Sequence, residues 1–256
     1  MYLVKSCYQR DNIWNRKTIK IGTLTEYRDT EDEQIADRHE GSINLFFDLN
    51  NFHMPIPLFN EINTFSHASS NFHFKDLQLR PNPIFPNHIY AKRYSAASSL
   101  LKLNRYIFCM SALSNALLCH DIFKEYDDFW YFHSDRIKLF GDITSVAILK
   151  EVINRTNKDE ELFTTSIKGK PLNIRWYANR IKYTQRDIEI DNLKFYKNHD
   201  EIRYYLSEGH MVKPINFQHE QEFRFIFDIY CNGVLVHPLN KPLFVDAQSF
   251  LPLIKR

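Results

Sequence analysis

Glu220-Gln221-Glu222 and Arg224 stand in the segment KPINFQHEQEFRFIFD, Lys213 to Asp228, with Phe217, Phe223, Phe225 and Phe227 on the alternate positions. In a β-strand, side chains alternate between faces, so the phenylalanines point one way and the charged residues the other. Two carboxylates at i and i+2 then lie about 7 Å apart on one face. An arginine two residues on can hold one of them by a charge-assisted hydrogen bond. Carboxylates on such a rigid platform can stabilise a developing positive charge or accept a proton. The same alternation also describes a solvated strand face bearing a ladder of opposite charges.

A second concentration of charge lies in EYRDTEDEQIADRHEG, Glu26 to Gly41, where Glu26, Asp29, Glu31, Asp32, Glu33, Asp37 and Glu40 surround Tyr27, Arg28, Arg38 and His39. As a ligand site, Tyr27 and Arg28 face the ligand and Asp37 or Glu40 fixes the arginine. As plain structure, it is an acidic surface helix. Glu33, Asp37 and Glu40 at helical spacing also offer oxygen ligands to a hard divalent cation, although no conventional ligand motif is complete. FCMSALS ends an apolar strand on Ser111, with Ser114 beyond it. No G-x-S-x-G surrounds it, which disfavours a hydrolase nucleophile. NIRWYANRIKYTQR interleaves Arg175, Trp176, Tyr177, Arg180, Lys182, Tyr183 and Arg186, the alternation of cation and ring that grips single-stranded nucleic acid. It equally suits a strand pair with its aromatics inside. HIYAKRY, around Lys92 and Arg93, is a smaller instance of the same pattern.

Strands and helices must position these residues. YLVKS, TIKIGTL, SINLFFDL and RYIFCMSALS read as strands, NIRWYANRIKYTQ as a strand pair, and GVLVHPL as a partner for the E-x-E strand. Thr30, with Glu33 three residues later, has the capping-box pattern of a short helix ending near Gly41. AKRYSAASSLLKL reads as a helix, and DRIKLFGDITSVAILKEV as two strands or a strand and a helix. DNLKFYKNHDEIRYYLSEG reads as one amphipathic helix, with Phe195, Ile202, Tyr205 and Leu206 near one face and Gly209 after its end. From about 51 to 90, where five of the ten prolines fall, the expectation is an irregular, packed insertion with one or two short strands. Elements without a strict βαβ rhythm favour the α+β class. No linker divides residues 1–256, so one domain is expected.

Composition removes several function classes. Lys plus Arg is 33 against 31 for Asp plus Glu, so net charge points to no partner. Six glycines, with no G-x-G-x-x-G or G-x-x-x-x-G-K, argue against a Rossmann enzyme or a P-loop NTPase. Cys7, Cys109, Cys119 and Cys231 are scattered without a C-x-x-C pair, against a zinc knuckle or disulfide framework. The start lacks a long apolar run and no stretch approaches about 20 apolar residues, so a reduced, cytoplasmic setting without a membrane is expected.

A Tyr-Arg early, a strand ending in serine mid-chain and E-x-E on a late strand together resemble the ADP-ribosyltransferase fold. That resemblance implies a core of mixed, mostly antiparallel sheets with flanking helices, and NAD as substrate. Arg28, Tyr27, Ser111 and Arg224 would hold NAD, and Glu222, with Glu220 beside it, would support cleavage of the glycosidic bond. Arg28 follows the second strand rather than lying within the first, and Cys-Met-Ser replaces the usual Ser-Thr-Ser. IGTLTEYRDTEDEQIADRHEG, FCMSALS, DDFWYFHSD, RIKYT and K-x-x-x-F-x-x-E-x-E-x-R also resemble a group of bacterial proteins associated in part with phage defence. Chaperone-controlled toxins that ADP-ribosylate RNA are the model for that group. The implied activity is transfer of ADP-ribose to nucleic acid, RNA favoured, with an antitoxin as a further partner and no metal. Arg175, Tyr177, Arg180 and Lys182 are the acceptor-binding candidates. The rivals are a metal-dependent nuclease or phosphodiesterase using Glu33, Asp37, Glu40 and E-x-E, and a non-catalytic module whose acidic faces recruit a basic partner.

Overall fold

The computed structural model describes residues 1–29, 37–63 and 68–256; the capping-box pattern of Thr30 and Glu33 lies outside them. In chain order, β1 (Tyr2–Cys7), α1 (Ile13–Arg16), β2 (Thr18–Thr23) and α2 (Leu24–Asp29) lead to β3 (Ser42–Pro55) and α3 (Ile56–Asn63). Then come β4 (Ala68–Pro81), β5 (His88–Lys102), β6 (Tyr106–Leu113), α4 (Cys119–Ile122), β7 (Asp128–His133) and α5 (Ile137–Asn157). β8 (Leu172–Arg180), β9 (Lys182–Thr184), β10 (Asp187–Asp191), α6 (Asn192–Lys197), α7 (His199–Glu208) and β11 (Val212–Pro214) follow. β12 (Glu222–Cys231), β13 (Val234–Val236) and β14 (Leu243–Asp246) complete the set. Mostly antiparallel sheets with several helices make this an α+β protein. Among the described residues no helix is long and apolar enough to cross a membrane.

The chain divides into two compact units: Met1–Glu40, Asn104–Lys182 and Asn216–Arg256 form the first, and Gly41–Leu103 with Tyr183–Ile215 the second. The first is built on β12 and β6, both buried along almost their whole length. β6 lies along one edge of β12, pairing Glu222 with Ser111 through Phe227 with Tyr106, and β8 lies along the other. β1 joins the far side of β6, and β7 pairs with β1. Phe223, Phe225 and Phe227 all enter the core with Phe108, Trp130 and Phe140, as the alternation requires. Phe217 and Glu220 do not continue that strand: residues 215–220 form a 3-10 turn, and Gln221 has φ 46°. Pro214 has no N–H to offer a ladder, and the left-handed residue re-aims the chain. The two glutamates therefore do not share one strand face.

α5 corrects the expectation for residues 135–152. Two strands, or a strand and a helix, were expected, but Ile137–Asn157 is one helix in which Phe140, Thr144, Ile148 and Val152 recur every fourth position and are all buried. Packing overrides propensity there. Gly141 admits the Trp176 indole, which would lie 2.6 Å from a Cβ at that position.

The second unit has a four-stranded sheet, β10-β3-β5-β4, antiparallel except for β10 beside β3. AKRYSAASSLLKL is strand, not helix: Tyr94, Ala96, Ser98 and Leu100 are buried at every second position. Small residues hid that period. The irregular insertion expected near 51–90 is instead largely the end of β3, α3 and the long β4, paired with β5. The expected single helix after Asp191 is two, α6 and α7, separated at Asn198.

Candidate functional site

The face of β12 opposite the phenylalanines is buried too. Glu222 is 5% and Arg224 1% exposed. Arg224 Nε donates to Glu222 Oε1 at 2.6 Å and Nη1 donates to Glu40 Oε1 at 2.9 Å. Burial works against the charge on Arg224, but the Glu222 and Glu40 carboxylates outweigh it and hold its pKa well above the usual value. Arg224 thus bridges two buried carboxylates. Glu40 reaches it because its backbone is anchored: its N–H donates to Asp37 O at 2.8 Å, and its own carbonyl accepts from Arg28 Nε at 2.5 Å. Arg28 is thus fixed by Glu40, as one sequence reading had it, through the peptide oxygen. Burial lowers the pKa of Arg28, opposed by Glu40, Asp29 and Asp37.

Ser111 sits directly across from Glu222 on β6 and, on its other side, from Val4 of β1. It is 3% exposed, and its hydroxyl donates to the Glu220 carbonyl at 2.8 Å. The first strand, the serine strand and the E-x-E strand are therefore immediate neighbours in register. Next along β6, Cys109 faces Arg224. Its thiol donates to Glu222 and is pushed up to about 12, by burial first and then by the Glu222 charge. The Tyr27 hydroxyl donates to the Cys109 sulfur, and burial, then the charges of Cys109 and Glu222, push that phenol up as well.

A cleft opens beside this row for a topological reason. β12 occupies one edge of β6, so β1 and β2 share the other: β1 pairs with residues 111–113 and β2 with 106–107. At Phe108 to Met110 the two strands part. Lys5 Nζ reaches in and donates to the Cys109 carbonyl at 3.1 Å, which satisfies that acceptor at the split. The resulting cavity of about 450 Å³ is lined by Lys5, Arg16, Lys20, Tyr27, Phe108 and Trp130, among others. Lys5 lies 5.3 Å from the Phe108 ring centroid. Arg16 pairs with Asp11 at 3.1 Å and Lys20 with Glu26 at 2.5 Å, so ion pairs flank the opening. Gly22 matters here. A Cβ on it would lie 3.1 Å from the Tyr27 ring and 3.0 Å from Glu26 Oε2, so glycine lets Tyr27 approach β2 closely. Tyr27 thus borders both the cleft and the row leading to Glu222.

The acceptor candidates divide between faces. Arg175 and Tyr177 pair with Asp228 and Ile226, on the face of Glu222 and Arg224. Arg175 lies 4.8 Å from the Tyr230 ring centroid, and the Tyr177 hydroxyl accepts from Arg105 at 2.8 Å. Arg180 pairs with Phe223 on the opposite face, its Nη2 2.7 Å from Met1 Sδ, and Lys182 is on β9. For the cation reading, Glu33 lies outside the described residues and Glu40 is bound to Arg224. Among the described residues no three of His, Cys, Asp and Glu converge as a metal-binding group.

Sequence reasoning missed Lys5, Arg16, Lys20 and Trp130. The signal was present for one of them. In YLVKSC, Lys5 alternates in phase with Leu3 and Cys7, which places a charge on the apolar side of the first strand. No protein-family model, curated protein or solved structure matches the chain.

Proposed function

We propose that the chain is an NAD-dependent ADP-ribosyltransferase acting on nucleic acid, RNA favoured, as a toxin or phage-defence effector. The observation that carries this reading is the register Val4–Ser111–Glu222 across three adjacent strands, beside a cleft where the first two strands part. The cleft volume suits a ligand of nucleotide size. Its rings offer stacking surfaces and Lys5, Arg16 and Lys20 offer charge to a diphosphate.

In this reading the nicotinamide end of NAD lies toward Tyr27. The bond from ribose C1′ to the nicotinamide nitrogen breaks, its electron pair goes to that nitrogen, and nicotinamide leaves neutral. The ribose becomes oxocarbenium-like, and the Glu222 carboxylate, held in place by Arg224, stabilises its charge. An acceptor hydroxyl or amine then bonds to C1′ and gives its proton to Glu220. Ser111 holds the turn carrying Glu220 against the strand carrying Glu222, a positioning role. Arg28 positions Glu40.

Incubation of the chain with labelled NAD and RNA, with and without EDTA, tests the reading. The expected outcome is nicotinamide release with label on RNA, resistant to EDTA and abolished by Glu222→Gln in a variant shown to be folded. RNA loss that EDTA prevents would replace this reading with a nuclease, and an inert protein would replace it with a binding module.

A further inference from the structure

The β4–β5 hairpin of the second unit ends in a turn, residues 82–87, where Ile84 is 67% and Phe85 46% exposed. Rings and a cation gather behind them. The His53 ring lies 5.4 Å from Phe85 and 5.3 Å from Tyr90, and His88 lies 5.4 Å from Phe85. The Arg80 guanidinium stands 4.5 Å from the Tyr90 centroid. Register accounts for this: His53, Tyr90 and Arg80 are cross-strand neighbours on β3, β5 and β4.

Two irregularities in the β4–β5 ladder add charge. Phe74 pairs with Ala96 and Asp76 with Ser95, which leaves Lys75 as an inserted residue. Gln78 pairs with Arg93 and Leu79 with Ala91, which leaves Lys92 as another. A bulge leaves its extra residue outside the ladder and re-aims its side chain, and both lysines are exposed. From residue 71 to 93 the cations are Lys75, Arg80, Lys92 and Arg93, with Asp76 as the lone acid.

Cations spaced along a surface of clustered rings are what a flexible polyanion with planar bases requires. We propose that the tip and outer face of this hairpin bind single-stranded nucleic acid. Bases stack on Phe85 and on the Tyr90–Arg80 pair, and phosphates meet Lys75 and Lys92. A lipid surface would use the exposed Ile84 and Phe85, but it gives no role to the Arg80–Tyr90–His53 cluster. The inference rests on the nucleic-acid acceptor of the reading above, yet binding is read without NAD.

The test is fluorescence anisotropy of the full chain with labelled oligouridine over a range of salt, beside co-sedimentation with phosphatidylcholine–phosphatidylserine vesicles. Each variant's melting curve serves as the folding control. The parent should bind the RNA at low salt. Lys75→Ala with Lys92→Ala should flatten the slope of log affinity against log salt by roughly 1.4, about 0.7 for each phosphate that no longer meets a lysine. Phe85→Ala should weaken binding roughly tenfold and leave that slope alone. Absence of RNA binding, equal binding by all three proteins, or binding to vesicles alone would overturn the proposal. RNA binding without NAD cleavage would keep it and remove the transferase reading. NAD cleavage with unaltered RNA binding in both variants would do the reverse.

Discussion

The buried trio of Glu222, Arg224 and Glu40 and the cleft lined by Lys5, Arg16 and Lys20 are both charge clusters of the first unit, yet they are held in opposite ways. In the trio every charge is within a few per cent of complete burial and bound to another member. In the cleft, Lys20 and Arg16 are about half exposed and pair with acids at the opening. The difference teaches that charge density along the sequence does not identify a binding surface. Within E-x-E-x-R, Arg224 is an internal brace that holds Glu222, and the sparser basic residues of the first two strands and their connection line the open space.

The strongest way to break this comparison is Arg224→Met. It leaves Glu222 and Glu40 buried without their shared cation, a change that costs about 3–5 kcal/mol. Urea unfolding should register it as a large fall in midpoint. Little change there would mean the trio is not a brace. On the cleft side, Lys5→Met removes the donor to the Cys109 carbonyl and should cost about 1 kcal/mol. NAD affinity, measured by calorimetry, should fall further than stability does. An affinity that simply follows stability would move Lys5 from the ligand side of the comparison to the structural side.

Gly22→Ala should cost about 1 kcal/mol, because the Tyr27 ring and the Glu26 carboxylate must give by a few tenths of an ångström. It should nonetheless reduce NAD affinity, because the added methyl would push the Tyr27 ring toward the cleft. Smallest of all is Lys20→Gln. Its ion pair with Glu26 is partly exposed, and such pairs contribute about 0–1 kcal/mol. Its effect should appear mainly in the salt dependence of NAD binding.

Alkali probes both regions together. Cys7, in the cleft lining, is pushed up to about 12 by burial and then by Asp128, and Cys109, beside the trio, also to about 12. An unfolded cysteine loses its proton near pH 8.5. Above that, the unfolded chain releases protons that the folded chain retains, so stability falls as pH rises toward about 12. Tyr27 adds to the decline at higher pH. Urea midpoints at mildly and strongly alkaline pH should show it, and Cys109→Ala should flatten the curve.

Much of the first unit was legible. Alternation in FRFIFD and in RYIFCMSALS marks two buried strands, and their contents, Glu222 and Ser111, meet across the ladder. What was not legible depended on one backbone angle or on long-range pairing. Gln221 in the left-handed region takes Glu220 off the strand, and no side-chain pattern announces it. The strand character of β5 was masked by its small residues, alanine among them the best helix former, which fit here between β3 and β4. The cleft depends on where β1 and β2 separate along β6, a property of three segments remote in sequence.

β12 occupies the middle of its sheet but comes late in the chain. Its ladder partner β6 ends at Leu113, and Glu222, which pairs with Ser111, follows only after more than a hundred further residues. During synthesis, the β6 edge must wait while α5, β8 and the last third of the second unit emerge. The second unit, complete at Ile215, leaves the ribosome before β12 does. Closure of so long a loop is entropically slow, and an unpaired apolar strand is open to wrong partners meanwhile. For this chain, the moment of greatest exposure to aggregation is therefore set by translation rate rather than by the stability of the finished fold.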